Sequence, residues 1–174
     1  MLKKQHWNIN CTDQHGYNIL YQYIKQEGQG YDIEFIRALI RLGIDLKYRL
    51  PVFETNILNY AARSGVSSEI VELLLQNGAD PNNVQHTKRH LVDWNLSYNP
   101  LRKTAPKEFA RIIKLLFKFG FDSKLLNEKE FCRVYLWIVE AQSEERLLVT
   151  FSRQYSRGLH KVPQQLLRHL LSYI

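Results

Sequence analysis

The sequence predicts an all-α fold: a solenoid of about four stacked, irregular helix–turn–helix repeats closed by a C-terminal capping helix. Three observations support this prediction. Gly43, Gly78 and Gly120 each follow an apolar segment and precede an apolar residue and an aspartate. The segments before these glycines carry apolar residues at helical spacing. Each segment also follows a shorter apolar segment and a turn, so the pattern recurs along the chain.

The three glycines fit the ends of helices. Glycine lacks a Cβ atom and therefore adopts the left-handed conformation that closes a helix without a steric clash. The intervals between the glycines are 35 and 42 residues. We therefore expect the second helix of each repeat to end just before its glycine.

Both helices of each repeat have a recognisable start. The first helices are expected to begin at polar–apolar–apolar triplets, which start at Asn18, Asn56 and His90. The second helices are expected where apolar residues share one face: Ile33, Ile36, Leu39 and Ile40, then Ile70, Val71, Leu73 and Leu74, then Ile112, Ile113, Leu115 and Leu116. This spacing is typical of an amphipathic helix that packs on one side.

Three residues are expected at the beginnings of second helices. Asp32 and Ser67 are candidate N-caps, because a short side-chain oxygen can accept a hydrogen bond from a free N–H of the first turn. Pro106 falls in a first turn, where its missing N–H has no consequence.

The repeat over residues 56–82 is the clearest. It consists of a short helix, a glycine turn, a second helix and the loop Gly78-Ala-Asp-Pro-Asn82. In this order and in these residue types it resembles the ankyrin repeat. Weaker copies lie on both sides, so the resemblance extends over residues 7–126. An ankyrin repeat has about 33 residues, and residues 28–31 and 97–106 account for the longer spacing here.

The resemblance implies two parts of the chain. Residues 1–126 are interpreted as ankyrin repeats 1 to 3, and residues 127–174 as a degenerate fourth repeat followed by the capping helix. Stacked repeats expose an apolar face at each end and need a terminal cover. The segment 162–174, with a proline in its first turn, can form that cover.

Composition and motifs argue against several functional classes. Hydrophobic residues make up 45% and charged residues 24% of the chain, no stretch approaches the ~18 apolar residues of a membrane span, and the N-terminus does not resemble a signal peptide. Cys11 and Cys132 lie far apart, which favours reduced thiols and a cytoplasmic location. Phosphate-loop, metal-binding and nucleophile motifs are missing. We therefore predict no enzyme activity, no cofactor and no metal site.

Ankyrin-like stacks hold partner proteins on a concave side formed by loop tips and first helices. Transferred by position, the resemblance implies a partner-binding surface with these residues: Gln14, His15, Tyr17, Lys25, Gln26, Val52, Phe53, Thr55, Arg63, Ser64, His86, Thr87, Lys88 and Arg89. Phe53 is an aromatic residue at a loop tip, and aromatic residues often dominate interface energies. The alternative is that Phe53 folds back onto Leu50 and Pro51.

The second half of the chain is basic. Residues 1–87 have a net charge of −1 and residues 88–174 a net charge of +8. A basic patch is expected from Arg102, Lys103, Lys107, Arg111, Lys114 and Lys118. The last four are spaced 4, 3 and 4 residues apart and share one helix face. This face is either merely solvated or attracts an acidic partner. Nucleic-acid binding through this basic half is a further alternative, but it is less favoured because no aromatic residues for base stacking interleave with the charges.

The last helix carries a further resemblance. Residues 162–174 are similar to the F-box-like segment that ends many poxviral ankyrin proteins, and to the closing helix of the SOCS box. Either resemblance implies docking to a cullin ubiquitin ligase through Skp1 or elongin, and the alternative is a helix that only caps the stack. The leading hypothesis is a non-enzymatic interaction protein. Its short repeats also resemble bacterial or viral ankyrin effectors, which implies action in the host-cell cytosol.

Overall fold

The computed structural model describes residues 8–26, 30–51, 54–84, 90–92, 99–127, 129–130 and 133–134, the side chains of Ala62, Arg63 and Arg102 excepted. Its helices are α1 (Ile19–Lys25), α2 (Ile33–Arg41), α3 (Ile57–Ser64), α4 (Ser68–Gln76), α5 (Leu101–Thr104) and α6 (Pro106–Lys118), followed by a 3-10 helix over Ser123–Leu125. Leu91 and Val92 are helical as well, where the first helix of the third repeat was expected. Within these residues the predicted all-α class is confirmed.

The helices stack in two layers. The first helix α1 packs against α3, and the second helices follow in the order α2, α4 and α6. One continuous apolar core joins the layers and runs from Leu20 in α1 to Ile113 in α6. Because each repeat buries its apolar face only against its neighbours, the stability of such a stack depends on the interfaces between repeats.

The predicted helix ends are confirmed. Gly43, Gly78 and Gly120 have φ angles of 86°, 90° and 91°. The N–H groups of the next residues donate to carbonyls five residues earlier: Ile44 to Leu39 at 3.1 Å, Ala79 to Leu74 at 3.1 Å and Phe121 to Leu116 at 2.9 Å. This is the hydrogen bond of the Schellman motif, which requires a left-handed residue. The chain therefore turns in the same way after each second helix.

The predicted starts of the first two repeats are also confirmed. The side-chain oxygen of Asn18 accepts a hydrogen bond from the N–H of Tyr21 at 3.1 Å, and that of Asn56 accepts one from the N–H of Asn59 at 2.9 Å. Asp32 caps α2 by accepting from the N–H of Glu34 at 2.8 Å. Pro106 is the first residue of α6.

One cap differs from the expectation. Ser67 is the N-cap of α4, but its side chain makes no capping hydrogen bond. The carboxylate of Glu108, in α6, accepts a hydrogen bond from the N–H of Ser68 at 2.5 Å instead. A carboxylate stabilises the positive end of the helix dipole as well as the free N–H. The third repeat therefore supplies the cap of a helix in the second.

Three antiparallel bridges close protruding turns before the first helices: Thr12 with Asn18, Leu50 with Thr55, and Val84 with His90. We call these turns hairpin 1, hairpin 2 and hairpin 3. Each bridge lies directly before the first helix of its repeat.

The loops between repeats share a local hydrogen bond from the backbone to a side chain. A side-chain oxygen accepts from the N–H two residues on in four places: Asn8 from Asn10, Asp45 from Lys47, Asp80 from Asn82, and Asp122 from Lys124. At two of these, an asparagine then joins neighbouring loops. The Asn10 amide donates to the Gly43 carbonyl at 3.1 Å and accepts from the N–H of Asp45 at 2.7 Å.

The same pair of hydrogen bonds recurs between the third and fourth of these loops. The Asn82 amide donates to the Gly120 carbonyl at 2.8 Å and accepts from the N–H of Asp122 at 2.7 Å. Lys47 occupies the equivalent position in the intervening loop and, as a lysine, has no acceptor to offer. We call this pair of hydrogen bonds the asparagine clamp. The clamp is therefore present on either side of Lys47 and cannot form at Lys47 itself.

Replacing Lys47 by Asn is expected to raise the free energy of unfolding by about 1 kcal/mol, because each hydrogen bond contributes about 0.5–1.5 kcal/mol net. The melting temperature should rise by about 2–4 °C. The matched control is Lys47→Ala, which removes the lysine without adding an amide. Equal melting temperatures for Lys47→Asn and Lys47→Ala would show that the clamp does not transfer.

Candidate binding surface

A cluster of four tyrosines lies beneath hairpins 1 and 2. The rings of Tyr17, Tyr21, Tyr48 and Tyr60 have centroid separations of 5.3 to 6.4 Å in tilted and edge-on geometries. Such pairs are worth about 0.5–1.5 kcal/mol beyond the area they bury. The cluster joins both hairpins to α1 and α3.

Tyr21 is the centre of the cluster and is fully buried. Its hydroxyl lies 2.8 Å from the Thr55 carbonyl and 3.1 Å from the Tyr48 carbonyl, so it donates to the backbone of hairpin 2 and of the loop segment before it. Burial raises the pKa of Tyr21 far above its ordinary value. The hydroxyl therefore keeps its proton and remains a donor at any physiological pH.

Hairpin 1 is held against hairpin 2 at close range. The Tyr48 hydroxyl donates to the Gly16 carbonyl at 2.8 Å. Gly16 has a φ of 81°, and a Cβ atom there would lie 3.0 Å from Cδ of Pro51. A larger residue at position 16 would therefore force hairpin 1 away from Pro51.

Asp13 fixes the shape of hairpin 1. One carboxylate oxygen accepts from the N–H groups of His15 at 2.8 Å and Tyr17 at 2.9 Å, and the other accepts from the side chain of Gln22. The hydrogen bond from Tyr17, supported by those from His15 and Gln22, lowers the pKa of Asp13. Its stabilising contribution is thus present above the unfolded-state pKa and is lost as the pH falls through the lowered folded-state pKa.

A groove of about 640 Å³ lies between hairpin 1, the end of α1 and hairpin 2. Its lining includes the apolar or aromatic residues Tyr17, Leu50 and Pro51 and the polar or charged residues Gln14, His15 and Lys25. The Lys25 ammonium lies 4.7 Å from the centroid of the Tyr17 ring, a cation–π distance. The groove thus combines an apolar wall with a cationic edge, and its volume is in the range of protein binding sites, about 300–1,000 Å³.

Comparison with known proteins identifies the repeats. A family model described as "Ankyrin repeats (3 copies)" matches residues 1–85. Residues 1–85 are thus similar in sequence to ankyrin repeats. The chain is also similar to a crystal structure of an ankyrin repeat domain from Acinetobacter baumannii AYE, with 18% identity and a TM-score of 0.58, over 78% of this chain and 70% of that one. No curated protein matches the sequence.

The structural likeness supports the ankyrin solenoid beyond the matched residues. The glycine turn and the asparagine clamp of the ankyrin repeats recur at Gly120 and Asp122, well past residue 85. A fourth repeat was expected after residue 126. There the Asn127 side chain accepts from the N–H of Glu130 at 3.0 Å, and the Glu130 carboxylate accepts from the N–H of Asn127 at 2.9 Å. This reciprocal pair is a capping box, which marks the start of a helix.

Four of the residues expected on the ankyrin concave surface meet at the groove: Gln14, His15, Tyr17 and Lys25. Gln26 is exposed just after α1, and Ser64 is half-buried at the end of α3. Thr55 was expected on the surface, but it is only 8% exposed because it lies at the base of hairpin 2, where its carbonyl accepts from Tyr21 and from the N–H of Leu50.

The other expected partner-binding residues lie outside the described part of the chain: Val52, Phe53, His86, Thr87, Lys88 and Arg89. Arg63 belongs to α3, but its side chain is not described. The groove therefore rests on the first repeat and on the beginning of hairpin 2. Residues 162–174, with the F-box-like and SOCS-box-like resemblance, also lie outside the described residues.

The basic patch follows α5 and α6 as expected from its spacing. Lys103, Lys107, Arg111 and Lys118 are exposed and Lys114 is half-buried, whereas the Arg102 side chain is not described. The opposite face of α6 is buried against the core through these residues: Phe109, Ala110, Ile112, Ile113, Leu115 and Leu116. The patch lies on the layer of second helices, whereas the groove is formed by the hairpins and α1.

Sequence reasoning missed the residues that hold the groove in place. Tyr21, Tyr48 and Tyr60 were not singled out, although the chain contains 10 tyrosines. Within one repeat each tyrosine could equally be a surface residue. Their proximity arises from contacts between repeats, such as the one from Tyr21 to Tyr48, 27 residues apart.

The described residues contain neither a metal-binding cluster nor a membrane-spanning helix. No group of three or more His, Cys, Asp or Glu side chains there could hold a metal ion. None of the described helices is both long enough and apolar enough to cross a membrane. The absence of enzyme activity stays a prediction.

Proposed function

We propose that this chain is a non-enzymatic module that binds a partner protein on the hairpin side of its first two repeats. Ankyrin repeats indicate protein–protein interaction as the general function. The observation that carries the specific proposal is the groove, because its walls come from two hairpins fixed to one another by the tyrosine cluster. A surface that is ordered before binding avoids the entropy cost of ordering on binding.

The chemistry of the groove fits a protein partner. Tyrosine is enriched among residues that dominate interface energies, and one face of the Tyr17 ring is already covered by Lys25. Pro51 and the remaining edge of Tyr17 offer apolar contact, and the Lys25 ammonium offers a charge-assisted hydrogen bond. The preferred partner segment has an apolar side chain beside an acidic one.

The position of the partner-binding site on this chain is tested by site-specific photocrosslinking. A photoreactive phenylalanine analogue placed at Gln14, on the groove, is expected to crosslink a protein from a eukaryotic lysate. The same analogue at Gln76, an exposed residue at the end of α4, is the matched control and should capture nothing in common with it. Equal capture at the two positions would overturn the proposed location.

The captured protein, produced separately, then permits a quantitative test. Lys25→Glu is expected to weaken the binding of the captured protein about 30-fold. This factor corresponds to a loss of about 2 kcal/mol, which is typical of one hot-spot residue. Lys124→Glu, an equal charge change at an exposed site of the third repeat, should leave the affinity within about twofold. Unchanged binding of Lys25→Glu would exclude the groove.

Two finer functions remain proposals. The cullin-adaptor hypothesis predicts that deleting residues 159–174 abolishes binding to Skp1 or elongin, whereas a capping helix predicts only a lower melting temperature.

The effector hypothesis places the protein in a host-cell cytosol. A second candidate, binding of an acidic partner through the basic patch, is favoured by the exposed stripe along α6.

A further inference from the structure

One apolar position of the second helices is exposed in the first repeat and buried in the later ones. Phe35, Ile70 and Ile112 each lie eight residues before the glycine that follows their helix, and they are 37%, 2% and 1% exposed. Because α4 packs on α2 and α6 packs on α4, the two buried positions belong to helices that have a described repeat before them. Burial of this position therefore depends on contact with a preceding repeat.

The first helices show the same difference. Ile19, Ile57 and Leu91 each follow the polar residue that starts a first helix, and they are 43%, 1% and 1% exposed. The ring centroids of Tyr23 in α1 and Phe35 in α2 lie 4.6 Å apart, so the exposed side chains of the two layers adjoin. The first repeat thus has an exposed stacking surface, which we call the first-repeat face. It includes three of the four exposed large hydrophobic side chains among the described residues: Ile19, Phe35 and Leu42.

The exposed residues of α2 on this face are complementary to a second copy of themselves. Ala38 is exposed in the middle of the helix, and its small side chain lets another helix approach closely. At 100° per residue, Phe35 and Leu42 lie on one flank of Ala38, and Glu34 and Arg41 lie on the other. When two copies of α2 cross antiparallel at Ala38, Phe35 of each copy meets Leu42 of the other. Glu34 of each copy then meets Arg41 of the other.

We propose that the first-repeat face binds a second copy of this chain through antiparallel α2 helices related by a twofold axis. A twofold axis brings the same patch to both sides of an interface, and this patch pairs apolar with apolar and acidic with basic residues when it meets itself. The apolar flank is the one beside Tyr23 of α1, so the charged flank forms the polar rim that is typical of protein interfaces.

The expected dimer is weak, because the patch is smaller than the interfaces of stable complexes. We expect a dissociation constant of about 10–100 μM. Glu34 already contacts Arg37 of its own helix at 3.2 Å, and its second carboxylate oxygen can accept from Arg41 of the other copy. Such rim pairs determine the orientation of the copies more than their affinity. None of these residues lines the groove, so this inference goes beyond the proposed function and is independent of it.

The test is sedimentation equilibrium of the full chain at concentrations around the expected dissociation constant. The unaltered chain is expected to dimerise. Glu34→Arg and Arg41→Glu, both at exposed positions, should each raise the dissociation constant at least about tenfold, because each places like charges opposite one another at both ends of the interface. An equimolar mixture of the two variants should dimerise again, because every contact in the mixed dimer joins opposite charges.

Two controls match the charge changes and the exposure. Glu69→Arg alters the position of α4 that is equivalent to Glu34 and is also exposed, and Val84→Glu alters a side chain that is 37% exposed, as is Phe35. Each control should change the dissociation constant less than about threefold, whereas Phe35→Glu should abolish the dimer.

Three results would overturn the inference. The unaltered chain could remain monomeric, in which case another segment or another protein covers the face. The mixture could dimerise no better than either variant alone, or the controls could lose as much affinity as the variants of α2. Gln14 and Lys25 of the groove are unaltered throughout, so each of these results leaves the proposed function to its own test.

Discussion

Gly65→Ala is expected to lower the free energy of unfolding by about 3 kcal/mol, for two separable reasons. Gly65 has a φ of 68°, in the left-handed region that costs an L-residue about 1–2 kcal/mol. A Cβ atom would also lie 2.4 Å from Cγ of Pro100. Since a proline ring cannot rotate away, the turn between α3 and α4 and the start of α5 would have to separate.

The chain offers controls that isolate these two costs. Gly43 has a φ of 86° and no atom within 4 Å of its Cβ position, so Gly43→Ala should show only the conformational cost, about 1 kcal/mol. Replacing Pro100 by Ala removes Cγ and leaves Cβ at 3.8 Å, an ordinary contact. The double variant of Gly65→Ala and Pro100→Ala should therefore be more stable than the sum of the single effects by about 1–2 kcal/mol.

Urea denaturation measures all four variants. An additive double variant, or equal losses for Gly65→Ala and Gly43→Ala, would show that the contact between the α3–α4 turn and α5 does not constrain the fold. In that event the third repeat would be anchored to the second through the packing of α4 on α6 and through the hydrogen bonds of Asn82.

Phe109→Ala is expected to be the most destabilising single truncation in the third repeat, at about 3–5 kcal/mol. Phe109 is fully buried on the inner face of α6, and the helix follows α5 directly, so the surrounding residues have little freedom to collapse into the space. Phe119, at the C-terminal end of the same helix, is half-buried. Phe119→Ala should therefore cost less than half as much.

Hydrogen exchange shows which helices lose stability in Phe109→Ala. Because a stack of repeats is stabilised by neighbouring interfaces, Phe109→Ala should raise exchange in α6 and α4 while α1 keeps its protection. Equal loss of protection in α1 and α6 would mean that the repeats unfold as one unit. A change in the free energy of unfolding below about 1 kcal/mol would show that the Phe109 side chain is not packed in the core.

Local sequence signals predicted the parts of the fold that local physics determines. Gly43 and Asn18 could be placed at helix ends because the required backbone conformation and side-chain acceptor are properties of single residues. Ser67 was an equally good N-cap by the same reasoning, yet Glu108 from another repeat makes the hydrogen bond. A competitor 40 residues away has no local signature.

The candidate site shows the same limit. Gln14 in hairpin 1 and Lys25 at the end of α1 were predicted from their position in the repeat, and they do line the groove. Thr55 was predicted by the same rule and is buried, because Tyr21 approaches its carbonyl from the neighbouring repeat. Which hairpin residues face outward thus depends on contacts between repeats, such as those of the tyrosine cluster, which carry no local sequence signal.

The hydrogen bond from the N–H of Ser68 in α4 to the Glu108 carboxylate in α6 limits how the chain can be divided into fragments. A fragment ending at Gln76 would contain every residue of α4 and still lack the group that completes its first turn, along with the apolar surface of α6. Such a fragment should fray from Ser68 onward. Expression boundaries, proteolytic nicks and evolutionary shuffling of this protein are therefore tolerated less well between α4 and α6 than before Ile33.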